Sequence, residues 1–250
     1  MKRTIACLVT LVGTLAAPSV ARADGFLLNA GLGPMAGVGG NFLGKPGDKT
    51  YTAPNGQSGT SQTYPGFSGT QFAFGAFIDI RLLKIVGIEV DFLRVSGKGS
   101  GDVSLTPTTN GVVQPSIDGT LEIKQTATHI PVLLKGVLPL PLVAPYVFVG
   151  PEFVFVSDTT SSMSGALGNS ITTNGAYSDN YKYWTFGFGM EIKLPVPDLD
   201  IRIPISVRGS VNPGVSDHLQ DRWIVNGNNI AINTQWQYAV SGNVGFGFYL

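Results

Sequence analysis

Apolar and polar residues alternate with a period of two along most of the chain. The segment 183–194 shows the pattern clearly, with small or polar residues at its odd positions. Its even positions are Trp184, Phe186, Phe188, Met190, Ile192 and Leu194. Such alternation is typical of a β-strand with two different faces. The pattern predicts eight strands, at 26–38, 71–80, 86–96, 121–137, 145–157, 183–194, 201–211 and 239–250.

The apolar stretch from Ile130 to Pro151 is the one later segment whose composition suggests a membrane helix. It contains five prolines and Lys135. Each interior proline costs a helix about 3 kcal/mol, so a spanning helix is excluded there. No helical period occurs elsewhere in the mature chain.

The first 23 residues have the pattern of a secretory signal peptide. The positive pair Lys2-Arg3 precedes an apolar stretch over 5–17, and the small residues of 21–23 allow cleavage before Asp24. The apolar stretch is too short for a bilayer, which needs about 20 residues, and this favours a cleaved signal over an anchor. We therefore expect the protein to leave the cytoplasm.

Composition narrows the class of protein. The chain is 43% hydrophobic and 13% charged, whereas a soluble domain carries roughly 25% charged residues. Disorder is excluded by the high hydrophobicity, and nucleic-acid binding by the balance of 16 basic and 16 acidic residues. Cys7 lies in the signal segment, so the mature chain has no disulfide and no thiolate site.

The chemistry of the two strand faces indicates which face meets lipid. The less apolar face is rich in Gly, Ala, Ser and Asn with scattered charges, whereas a water-facing exterior would carry far more Lys, Glu and Asp. Small residues suit the narrow interior of an eight-stranded barrel, and the bulky face then contacts lipid. An exported chain that spans a bilayer without helices must form a closed barrel.

The spacing between the strands supports the same architecture. Long connections rich in Gly, Ser, Thr, Asn and Pro alternate with short ones, beginning with a long one after the first strand. Outer-membrane barrels have long extracellular loops and short periplasmic turns. The predicted loops are 43–70, 97–120, 158–181 and 212–234, and the predicted turns are 81–85, 138–144 and 195–200.

Three segments carry a family resemblance: 128–135, 145–151 and the closing 243–250. They resemble strands of the small outer-membrane β-barrels of the OmpA/OmpX-like, porin-family type, found in Gram-negative envelopes. The resemblance implies a signal peptide at 1–23 and an all-β, eight-stranded antiparallel up-and-down transmembrane β-barrel domain at 24–250. It implies outer-membrane lipid and the barrel-assembly machinery as partners, the latter through a C-terminal signal that contains Gly245, Phe246, Phe248 and Leu250.

The face assignment directs five acids and five bases into the barrel interior. Unpaired charges are costly in a confined space, so the balance predicts a hydrogen-bonded salt-bridge network that obstructs passive flow. A gated polar pathway is the functional alternative, and Asp79, Arg81 and Lys193 can instead lie at the periplasmic rim. The predicted network is Asp79, Arg81, Glu89, Asp91, Lys135, Glu152, Glu191, Lys193, Arg202 and Arg208.

Aromatic residues cluster near the predicted strand ends, where they can form girdles at the two membrane interfaces. Strand composition alone also explains them. These residues are Phe26, Phe42, Tyr146, Tyr183, Trp184, Trp236 and Tyr238.

The two histidines are the only imidazole candidates. No Ser stands beside His129 in a catalytic motif, and His218 lies in a predicted loop with too few ligands for a metal. We therefore expect no catalytic residues, no cofactor and no metal. The leading hypothesis is a structural or surface-interacting outer-membrane barrel without an open pore, with an unidentified loop partner. A lipid-modifying barrel enzyme and a soluble lipocalin-like binder are the alternatives.

Overall fold

Eight antiparallel strands hydrogen-bond side by side into a closed ring. The structure, a computed structural model, describes residues 28–44, 48–51, 60–63, 66–106, 108–109, 112–166, 172–215, 223–226, 229–233 and 235–250. The ring strands are β1 (Leu28–Leu43), β4 (Phe67–Leu82), β5 (Val86–Thr106), β8 (Ile117–Val137), β9 (Val143–Gly165), β11 (Tyr181–Val196), β12 (Leu199–Val211) and the pair β15 (Tyr238–Gly245) and β16 (Gly247–Tyr249). No helix in the described residues is long and apolar enough to cross a membrane.

Shorter strands lie in the connections at one end of the ring. They are β2 (Asp48–Tyr51), β3 (Thr60–Thr63), β6 (Thr108–Thr109), β7 (Val112–Val113), β10 (Thr172–Tyr177), β13 (Trp223–Asn226) and β14 (Asn229–Asn233). We call this end the long-connection end and the opposite one the short-turn end. The short-turn end carries turns 83–85, 138–142 and 197–198.

The last strand closes the ring by pairing with both β1 and β12. Its break into β15 and β16 falls opposite Pro34, which has no N–H to donate to the ladder. We start at Pro145 on β9 and step from each residue to its register partner on the next strand. After one turn of the ring the path returns to β9 at Phe155, so the ring closes with a stagger of ten residues. This stagger tilts the strands, as barrel closure requires, by roughly 35–45°.

Several strands are longer than the alternation predicts. The predicted loop 97–120 is mostly strand, since β5 continues to Thr106 and β8 begins at Ile117. β9 likewise continues to Gly165, well beyond the predicted end at 157. The prediction failed there because Ser, Thr and Gly occupy both faces of these extensions. Their backbones still pair with one another, although the hydrophobic signal has ended.

The turn between β4 and β5 has an unusual backbone for its residues. Leu83 and Lys84 both have positive φ, at 53° and 60°, and Ile85 N donates to Leu82 O at 3.1 Å. This is the type I′ geometry, which asparagine and glycine normally occupy. A residue with a Cβ in the left-handed conformation costs roughly 1–2 kcal/mol, so this turn is locally unfavourable for Leu83 and Lys84.

Alternate residues lie outside and inside the ring as the sequence predicts. Phe74, Val147 and Phe188 are more than half exposed on the outer face. The interior near the long-connection end holds an apolar cluster that includes Phe67, Leu121, Ile123, Val154, Tyr181, Tyr183 and Trp236.

Three predicted girdle aromatics are inside the barrel. Tyr146, Tyr183 and Trp236 are each less than 5% exposed, because the two tyrosines fall on inward positions of β9 and β11 and Trp236 packs inside just before β15 begins. Phe42, Trp184 and Tyr238 lie on the outer face as expected. Phe26 is outside the described residues.

Candidate functional site

The interior of the barrel contains most of the predicted charged residues. Strand alternation directs these side chains inward, where they contact side chains of other strands across the interior. Nine of the ten are buried: Asp79, Arg81, Glu89, Asp91, Lys135, Glu152, Glu191, Arg202 and Arg208.

Lys135 on β8 is at the centre of the main cluster. Its Nζ lies 3.0 Å from Asp79 Oδ2, 2.5 Å from Glu89 Oε2 and 2.9 Å from Glu191 Oε1. The ammonium also lies 4.1 Å from the centroid of the Tyr146 ring. One cation therefore connects carboxylates from β4, β5 and β11, and none of the three charges is left unpaired.

The Arg81 guanidinium links β4 to β11, which is directly opposite in the ring of eight. Its Nη1 donates to Glu191 Oε2 at 2.8 Å and its Nε to Asp79 Oδ1 at 3.1 Å. Its Nη2 lies 3.2 Å from the Tyr249 hydroxyl on the last strand. Arg81 is 1% exposed, so these bonds act away from solvent and are stronger than surface pairs.

Arg208 makes the second bridge between opposite strands. It projects from β12 and pairs with Asp91 on β5, and its Nη2 lies 3.1 Å from Glu89 Oε1. Its guanidinium carbon is 5.4 Å from the centroid of the Phe148 ring. Since Glu89 also bonds Lys135, the two bridges form one continuous network.

A second polar cluster lies around Glu152 on β9. One carboxylate oxygen pairs with His129 Nδ1, and the other accepts from Thr185 Oγ1 and from Ser210 Oγ, the latter at 3.2 Å. The two hydroxyl oxygens are 2.8 Å apart. His129 thus belongs to the buried network, which residue spacing alone did not indicate. His218 is outside the described residues.

Lys193 is the predicted network residue that lies away from the others. Its side chain is about half exposed at the short-turn end, 3.8 Å from Asp200 Oδ2. Asp200 was missed because the predicted strand began at 201, although position 200 shares a face with Arg202. Arg202 bonds Asp200 at 2.5 Å and Glu191 at 3.3 Å. Of the three residues with a rim location as the alternative prediction, Lys193 lies at the rim of the short-turn end, whereas Asp79 and Arg81 are buried inside the barrel.

Four cavities lie along the barrel in the described residues. One of about 230 Å³ opens at the short-turn end beside Arg81, Lys193 and Arg202, and a larger one of about 560 Å³ lies beside Asp102, Asp118 and Gly165 at the long-connection end. Two others, of about 30 and 10 Å³, lie near His129. Among the residues that the structure describes, no group of three His, Cys, Asp or Glu side chains is arranged to hold a metal ion.

The C-terminal residues form the closing wall of the ring. Gly245 faces inward against Phe77, while Phe246 and Phe248 face outward. Leu250 N donates to Ala30 O at 2.8 Å, so the terminal residue is hydrogen-bonded to the first strand. The role of this segment in assembly remains a prediction.

A comparison with protein-family models relates the chain to known barrels. The model described as the outer membrane protein beta-barrel domain matches residues 5–241. The chain belongs to this family. The protein is therefore an outer-membrane β-barrel, and its ring of eight strands crosses the membrane. In such barrels the short turns generally face the periplasm.

Solved outer-membrane proteins resemble the chain at low identity. OprG from Pseudomonas aeruginosa is 12% identical, with a TM-score of 0.40 over 89% of this chain and 95% of OprG. Ail from Yersinia pestis, solved with the heparin analogue sucrose octasulfate, is 10% identical, with a TM-score of 0.28 over 89% of this chain and 99% of Ail. The translocator domain of the autotransporter NalP from Neisseria meningitidis is 13% identical, with a TM-score of 0.29 over 98% of this chain and 96% of that domain. The comparison with curated proteins gave no match.

Proposed function

We propose that this protein is a non-catalytic outer-membrane barrel with a structural or surface-interaction role and no open pore. The observation that carries the proposal is the pair of bridges between opposite strands, Arg81–Glu191 and Arg208–Asp91. An eight-stranded barrel has only enough interior space for its own side chains. Side chains that meet across the full width of such a barrel obstruct the path of water and ions.

We expect the purified barrel to give no discrete conductance steps in planar lipid bilayers, because the bridges obstruct its interior. The double variant Asp91→Ala/Arg208→Ala removes one bridge without changing the net charge, and we expect it to increase the leak of small ions. Regular steps from the wild-type protein would contradict the proposal of a barrel without an open pore.

The geometry at His129 supports the non-catalytic part of the proposal. A catalytic serine or threonine needs its hydroxyl hydrogen-bonded to the imidazole, which in turn bonds the acid. Here Thr185 and Ser210 bond the Glu152 carboxylate itself. Among the described residues no Ser or Thr hydroxyl bonds His129. The cluster is arranged as a satisfied polar network rather than a nucleophile with its base.

The extensions of β5, β8 and β9 support a role at the cell surface. These strands continue towards the long-connection end with exposed polar and charged residues, including Lys98, Asp102, Lys124 and Ser162. Such a surface has no apolar band for lipid and suits contact with water or with a polar partner. We therefore propose that this part of the barrel projects from the membrane into the extracellular space.

Cysteine labelling tests this orientation, because the mature chain has no cysteine of its own. Ser162→Cys lies on the exposed β9 extension, and Lys84→Cys lies in an exposed short turn. A membrane-impermeant maleimide applied to intact cells is expected to label the first variant and not the second, while both react after lysis. Labelling of Lys84→Cys in intact cells would contradict the orientation.

A further inference from the structure

The 230 Å³ cavity at the short-turn end has a cationic wall. Arg81, Lys84, Lys193 and Arg202 line it, together with the carboxylate of Glu191. These side chains come from β4, β11, β12 and the turn between β4 and β5. The cavity is therefore formed by residues far apart in sequence at the mouth of the barrel.

The two arginines of this wall have carboxylate partners, whereas the two lysines have little or none. Arg81 and Arg202 share Glu191, and Arg202 also bonds Asp200 at 2.5 Å. Lys193 is 3.8 Å from that same Asp200, and Lys84 interacts with Asp200 only at longer range, with no ion pair within 4.0 Å among the described residues. Lys84 and Lys193 are therefore the cations of this wall whose side chains are exposed and are not held in a close ion pair.

The backbone at Lys84 has a left-handed conformation. Lys84 is held at a φ of 60° directly after Leu83 at 53°, in a turn where asparagine and glycine avoid strain. Asp198, in the short turn between β11 and β12, has the same φ of 60°, so this backbone belongs to the tight hairpin turns of this end. Lys84 is one of the two lysines that line the cavity.

The opposite wall of the cavity is apolar. Val137, Pro139, Leu140, Pro141 and Ala144 form it, and they belong to the turn 138–142 and its flanks. Leu138, Leu140 and Leu142 are each about half exposed or more, and so are Leu83 and Ile85. Exposed apolar side chains beside exposed lysines fit a ligand that has both an anionic group and a hydrocarbon part.

We propose that the short-turn mouth binds the phosphate group of an anionic phospholipid from the periplasmic leaflet. Lys84 and Lys193 contact the phosphate as point charges, and the turn 138–142 lies against the glycerol and upper acyl chains. The cavity is large enough for the head group, while the acyl chains remain in the bilayer along the outer wall. The proposal uses the periplasmic orientation, which the Lys84→Cys labelling tests separately.

Lipid retention tests the proposal on the full barrel. Wild-type protein and Lys84→Gln/Lys193→Gln are reconstituted in phosphatidylcholine nanodiscs that contain a minor fraction of phosphatidylglycerol, then released and weighed by native mass spectrometry. We expect wild-type barrels to retain one phosphatidylglycerol and the double variant to retain at least tenfold less. The matched control, Lys98→Gln/Lys124→Gln, removes two exposed lysines at the other end and is expected to retain lipid as the wild type does.

Heat-modified gel mobility first establishes that each variant is folded, so a loss of lipid reports binding rather than assembly. Equal retention by the wild type and the double variant would overturn the proposal, as would equal retention of phosphatidylcholine. Addition of inorganic phosphate separates a lipid site from a free-anion site. Displacement of the lipid by millimolar phosphate would overturn the lipid assignment.

Discussion

Replacement of Lys135 by methionine is expected to destabilise the barrel more than any other single charge removal. The change leaves Asp79, Glu89 and Glu191 without the ammonium that lies within 3.0 Å of all three. Removal of one partner from buried ion pairs typically costs about 3–5 kcal/mol. Here Asp79 and Glu191 keep Arg81, and Glu89 keeps Arg208, but the network is left with an excess of buried negative charge. Methionine keeps the length of the side chain, so the effect isolates the charge. Urea unfolding in detergent micelles, followed by tryptophan fluorescence, measures it.

The control for this prediction is Lys98→Met, which removes an exposed lysine from the outer surface of β5. Its unfolding midpoint is expected to match that of the wild type. The double variant Lys135→Met/Glu89→Gln should recover part of the loss, since it removes one buried negative charge from the network. If Lys135→Met unfolds at the same urea concentration as Lys98→Met, the network contributes no measurable stability.

Gly75→Val is expected to prevent barrel formation. Gly75 lies on β4 opposite Leu93 of β5, and a Cβ at this position falls closer than 3.0 Å to the backbone carbonyl of Phe92. The clash is with backbone, which cannot move aside without breaking the ladder between β4 and β5. We expect no folded, fast-migrating band on an unheated gel, whereas the wild type shows one.

Gly242→Val provides the matched control, because a Cβ at Gly242 has no atom within 4 Å among the described residues. Gly242 lies on the outer face of β15, where an apolar, β-branched side chain faces lipid and suits a strand. We expect this variant to fold as well as the wild type. Equal folded fractions for Gly75→Val and Gly242→Val would show that close strand approach at Gly75 is not required.

The faces of the strands were predictable from sequence because the side-chain period of a strand is two. Phe186 and Phe188 could be assigned to lipid, and Glu191 to the interior, without knowledge of any partner strand. The face with bulky apolar side chains could be assigned to lipid, because the small residues and balanced charges of the opposite face suit a narrow interior. The same rule assigned nine network residues to the inside, where the structure has them buried.

The strand ends were less predictable, because the alternation of apolar and polar residues ends where the strands extend beyond the bilayer. Beyond 97 on β5 and 157 on β9 the outer face carries polar residues, and the pairing of backbones continues without a regular hydrophobic pattern, although Val103 is buried inside. The predicted network missed Asp200 for the related reason that this residue lies at a strand end. His129 could be assigned to a strand, but its bond to Glu152 required the neighbouring strand and its register.

The sequence by itself determined the class of fold, the number of strands and the sorting of residues between lipid and interior, since these depend on local alternation. Tertiary structure decided which charges meet. Arg81 pairs with Glu191 and Arg208 with Asp91 because the ring closes with a stagger of ten residues, which sets the height at which opposite strands bring their side chains together. The same closure brings the two exposed lysines of the short-turn mouth, Lys84 and Lys193, together, because it places a turn and two distant strands around one cavity.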